Sequence, residues 1–169
     1  MQPNVDQIVR AVAETLAKRA NQRWTVSIDQ SCPELNLFLN YQTIVIENID
    51  VLFLKTLMTM DPQQNSWVTW FQKGFNYGIN FELKIGFQNI NLIPWTLLTK
   101  WPVKLISKDQ RSIVVINHPH ITYADVMLMK KASVLAKLKD QKLTDLASES
   151  LAKSQIPIIE RIDSQCIWE

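Results

Sequence analysis

His118 and His120, separated by Pro119, are the two histidines of this 169-residue chain, and they are the first place to look for chemistry. Two imidazoles spaced this way can share a metal ion, but a catalytic zinc needs a third protein ligand and an open coordination position. No third histidine exists to provide that ligand, and no acid pair stands beside the two. Asn117-His118-Pro119 is a usual way to leave a strand, so the segment is expected to be a loop, with metal ligation and acid–base work as the competing readings. Nucleophilic catalysis would need a serine or cysteine next to a base and an orienting acid. There is no GxSxG, and Cys32 precedes Pro33 in a turn that offers no activating group. Cys32 and Cys166, the only cysteines, are too few and too far apart for a disulfide framework or a zinc site, so both are expected as reduced structural thiols.

Other residue types can be weighed in the same way. Gly74, Gly78 and Gly86 are the only glycines, whereas loops that cradle phosphates need closely spaced glycines for backbone approach. Nucleotide binding by the common loops is therefore not expected. Glu47 and Asp50 sit where a strand hands over to a helix, a place where α/β proteins bind ligands, but acids there also cap helices, which is the expected role. The six tryptophans are expected mainly in packing, with an exposed aromatic patch for a partner as the alternative. Lys130, Lys131, Lys137, Lys139 and Lys142 form a basic run without interleaved aromatics, unlike a single-strand nucleic-acid site, and are expected on a solvated edge. No catalytic, metal-binding or cofactor-binding residue is expected, and the chain reads as a non-enzyme.

Composition fits that reading. The length suits one domain spanning 1–169. Apolar residues make up 47% and charged residues 20%, near the globular average. The net charge of +2 is too small for a dedicated nucleic-acid binder. Mean hydropathy is −0.05, and no apolar run approaches the roughly 20 residues that span a bilayer, so no membrane partner is expected. Acids among the apolar positions of the first 20 residues argue against a secretory signal, which points to the cytosol.

These residues need elements to position them. Residues 4–20 carry Val5, Ile8, Val9, Val12 and Leu16 along one helical stripe. Asn4 and Gln7 have capping-box spacing, and Asp6 with Arg10 and Glu14 with Lys18 are favourable i,i+4 pairs. Such a narrow stripe can pack on its own domain or dock on another protein. Residues 24–28 read as a strand, 35–47 as rich in strand formers with 43–46 the buried part, and 48–60 as a helix capped by Asp50. Residues 67–76 read as a helix capped by Ser66, ending near Gly78. Residues 79–87 alternate as a strand with one solvated face. Pro94 opens a short helix, 95–100, and 103–107 with 112–116 form a hairpin around the turn at 108–111. The segment 121–162 reads as a helix–strand–helix–strand module. Thr122 and Thr144 are its helix caps, 133–138 its first strand, and Ala147 and Ala152 are small residues for close packing. The closing strand carries Pro157, a mark of an edge or first-residue position. The expected fold is a single α/β domain: a mixed, partly parallel sheet flanked by helices, with an N-terminal amphipathic helix.

The ITxADV, strand and LTxxAxE…IPII order of 121–162 looks like a module found in several proteins of bacterial catabolic microcompartments. With the QIVRAVAETLAKRA helix, the CPxL turn at 32–35, the TIVIENIDVLFLKTL segment, GxNFELKIGF and LIPWTLL, the chain resembles the PduM family of the 1,2-propanediol-utilisation bacterial microcompartment. The resemblance implies a structural protein needed for organelle assembly, located in the microcompartment, partnered by shell or core proteins and lacking catalytic residues. It also favours the docking reading of the first helix, with Ile8, Val9, Val12 and Leu16 as contact residues. The alternative function is a small-ligand-binding or enzymatic α/β domain taking a flavin or nucleotide.

Overall fold

β-Branched runs such as Ile44-Val45-Ile46, almost fully buried, become strands because their stiff side chains pack well on a pleated surface. The computed structural model describes residues 4–59, 61 and 65–162. Among them, β1 (Arg23–Ser27), β2 (Thr43–Ile49), β3 (Asn80–Ile85), β4 (Val103–Ile106), β5 (Ser112–Val115), β7 (Ser133–Leu138) and β9 (Ile158–Arg161) form one seven-stranded sheet in chain order. Every neighbouring pair is parallel except the β4–β5 hairpin. Two further short strands, β6 (His120–Ile121) and β8 (Lys142–Leu143), pair beside it; they are too brief to have left a sequence signal. The helices are α1 (Val5–Ala20), α2 (Leu37–Asn40), α3 (Val51–Thr59), α4 (Ser66–Asn76), α5 (Trp95–Lys100), α6 (Tyr123–Val126) and α7 (Asp145–Lys153). The single α/β domain with a mixed sheet is as expected.

The hairpin decides how the sheet is covered. Parallel crossovers are right-handed, so crossovers that advance the same way across a sheet land on one face. From β1 to β4 they place α2, α3, α4 and α5 there, and Phe38, Leu54, Phe71 and Leu97 join Ile44, Leu83 and Leu105 in the main core. The hairpin then reverses the strand direction, and the same handedness sends later crossovers to the other face. There Val126 of α6 and Ala147 and Leu151 of α7 close over Leu135 of β7 as a second, smaller core. Among the described residues, no helix covers this second face over β1–β4. That face bears Glu82 between Arg23 and Lys104, the latter pair at 3.2 Å, and Lys84 with Glu47 at 2.8 Å.

The main core is aromatic. Phe71 packs at a tilt against Phe81 with centroids 4.5 Å apart, and Phe38 against Trp70 at 4.7 Å. Gly74 is required by this packing, because a Cβ there would overlap the Phe81 ring and lie 3.3 Å from Phe38.

Several sequence expectations are corrected. Residues 37–40 form a helical turn rather than a strand, since turning there seats Phe38 fully inside the core. Asn65, not Ser66, caps α4: its carboxamide oxygen accepts from the Trp67 amide at 2.9 Å. The polar face of β3 is not solvated at Glu82, which is 8% exposed, because flanking strands and two cations enclose it. Lys137 leaves the expected solvated edge for the interior. It is 6% exposed, and its ammonium donates to Leu138 O, Gln141 O and Glu160 Oε2, because β7 lies between β5 and β9. Lys130, Lys131, Lys139 and Lys142 are exposed. Ala147 packs inward, but Ala152 faces outward. The caps expected at Asp50, Thr122 and Thr144 are present, and Pro157 precedes the edge strand β9. Met60, residues 62–64 and Cys166 lie outside the described residues.

Candidate docking surface

Helix α1 forms from a capped, amphipathic sequence. Asn4 and Gln7 close the capping box, with the Asn4 amide donating to Gln7 Oε1 at 3.4 Å. Its apolar stripe stays uncovered: Ile8 is 48%, Val9 61%, Val12 52% and Leu16 51% exposed. Residues 4–18 are all exposed. The four residues singled out from sequence thus share one bare face, as does Val5.

What holds α1 is its last turn. The Arg19 guanidinium is enclosed and donates from Nε to Gln42 Oε1 at 2.9 Å, from Nη1 to Phe38 O at 2.9 Å and from Nη2 to Tyr77 O at 3.0 Å. Gln42 in turn donates to Gly78 O. Arginine suits this place because its planar fork satisfies several carbonyls at once while its charge faces the helix C-terminus. Sequence reasoning passed over Arg19, because a basic residue in a helix's last turn is ordinary and its carbonyl and amide partners come from distant segments.

An isolated helix of this length is marginal in water, and most helical stability comes from packing an apolar face. A groove of about 430 Å³ runs along the stripe, lined by Ile8, Val12, Leu16 and Arg19, and continued by Leu39 of α2. Leu39 is itself 55% exposed. The surface is therefore apolar, continuous over two elements, and rooted in the body by a buried charge.

The other candidate residues have local roles. His118 Nε2 lies 3.2 Å from Asp125 Oδ1, while Asp125 Oδ2 accepts from the Thr122 amide at 2.7 Å and its hydroxyl at 2.8 Å. The Thr122 amide, then its hydroxyl and the His118 charge, hold the Asp125 carboxyl below the usual carboxylate range. His120 sits apart in β6. Among the described residues no group of three His, Cys, Asp or Glu side chains could hold a metal. Burial pushes the Cys32 thiol up, against a weaker opposing hydrogen bond with Ser66, so it is a poor nucleophile. Asp50 Oδ1 accepts from the Phe53 amide at 2.6 Å as a cap, and Glu47 is paired with Lys84. Trp67, Trp70 and Trp95 are buried and Trp24 and Trp101 partly so, which makes packing their role. No helix among the described residues is long and apolar enough to cross a membrane.

A protein-family model described as "Putative propanediol utilisation" matches residues 7–157 of this chain. No curated protein and no solved structure matches it.

Proposed function

The chain belongs to the propanediol-utilisation family, and from that membership and the bare stripe on α1 we propose that it is a non-enzymatic assembly component of the propanediol-utilisation microcompartment. In this reading the protein resides in the microcompartment, and α1 docks on a shell or core protein through Ile8, Val9, Val12 and Leu16. The single observation that supports it most is the contrast along α1 itself: a capped helix with an apolar stripe, fixed at Arg19 and uncovered everywhere before it. Helix-in-groove recognition uses anchors at this spacing, and burying such a face on a partner would supply the packing that the helix lacks alone.

The test is co-purification. Ile8→Asp with Leu16→Asp should leave the domain folded and abolish its co-sedimentation with shells from cells making the complete microcompartment. Retained co-sedimentation sinks the docking role. A deletion must stop at residue 18, since Arg19 belongs to the body.

A further inference from the structure

The layer of α6 and α7 that covers the second face of the sheet ends at the loop after α6. Leu128, Met129 and Lys130 of that loop form one wall of a corner whose floor is made by strand residues of the sheet. The corner is an open cavity of about 480 Å³, within the range of small-molecule sites. It arises where the covering helices change face across the β4–β5 hairpin.

The lining has two chemical sides. Ile106, Val114, Leu128 and Met129 are apolar. Lys104, Lys130, Ser112 and Ser133 are polar. Ser112 and Ser133 stand side by side in register on β5 and β7, and neither hydroxyl has a hydrogen-bond partner among the described residues. Ser133 is 3% exposed and lines the cavity. A polar group left so is satisfied when a ligand oxygen meets it.

Charge selects the ligand. Lys130 has no ion pair among the described residues. Lys104 and Arg23 share the single carboxylate of Glu82, which leaves that trio with a net positive charge. Asp125 is the one acid of the lining, and its carboxylate is directed at Thr122 and His118. The corner as a whole is cationic on one side and aliphatic on the other.

We propose that it binds a small organic anion: a carboxylate or phosphate head held by Lys104, Lys130 and the two serine hydroxyls, with a short aliphatic tail on Ile106, Val114, Leu128 and Met129. The site is independent of the α1 stripe. Titration of the ¹⁵N-labelled full chain with hexanoate, hexyl phosphate and hexanol tests it. Saturable amide shifts at Ser112 and residues 128–133 are expected for at least one of the two anions, with a dissociation constant on the order of 1 mM for ligands this small. The tighter of the two identifies the head group. Hexanol should bind about tenfold more weakly or not at all, Lys130→Gln should weaken the anion about fivefold, and Ser133→Ala about threefold. Absence of saturable shifts with both anions, hexanol binding as tightly as either, or shifts confined to the α1 groove would each overturn the proposal.

Discussion

Helices α1 and α4 carry the same kind of pattern and meet opposite fates. In α4, Trp67, Trp70 and Phe71 are buried in the aromatic core, and Val68 is fully buried as well. In α1, Ile8, Val9, Val12 and Leu16 are about half exposed or more. Periodicity marks a face that favours burial; only topology decides whether this chain supplies the cover. The crossover from β2 to β3 lays α4 on the sheet, whereas α1 precedes the first strand and touches the body mainly through α2.

Substitutions should separate the two helices sharply. Phe71→Ala in α4 empties a fully buried ring site and should cost about 3–5 kcal/mol in chemical denaturation. Val12→Ala in α1 should cost less than about 0.5 kcal/mol, as exposed substitutions do. Comparable losses at the two positions would show that α1 packs on the body. Arg19→Ala marks the border between the regimes. It strips partners from Phe38 O, Tyr77 O and Gln42, and should cost about 2 kcal/mol while raising hydrogen exchange throughout α1. An unchanged exchange pattern there would deny Arg19 its anchoring role. Gly74→Ala should destabilise by about 1–2 kcal/mol, because strain against Phe81 outweighs the gain in helix propensity; a stabilised variant would mean that the Phe81 ring can yield.

The smallest effect expected concerns the cap of α6. The Asp125 carboxyl is held below its ordinary range, so its contribution is present above the unfolded-state pKa and is lost as pH falls through the lower folded value. A carboxyl titration by NMR should place its midpoint below that of an unstructured aspartate, with the Thr122 amide shifting in step. A midpoint at the ordinary value would remove the cap from the account.

Much of this was readable in residues. The caps at Asp50, Thr122 and Thr144, the β4–β5 hairpin and the buried run in β2 follow from short-range chemistry, and the stripe on α1 follows from spacing. What the sequence could not convey was long-range. Lys137 looked like one more surface lysine until β9 paired outside β7, and Glu82 looked solvated until Arg23 and Lys104 closed on it. The corner beside Ser133 exists because a hairpin sends the covering helices to the other face, a consequence of strand direction that no local window contains. Arg19 belongs to the same class, since its partners come from two distant segments, 38–42 and Tyr77.

The docking role of α1 is tested most directly by one paired measurement on the Ile8→Asp, Leu16→Asp variant: its denaturation midpoint and its co-sedimentation with microcompartment shells. An unchanged midpoint with lost co-sedimentation is the expected result. A variant that still co-sediments, or one whose midpoint collapses, would contradict the assignment of α1 as a docking helix rather than part of the core.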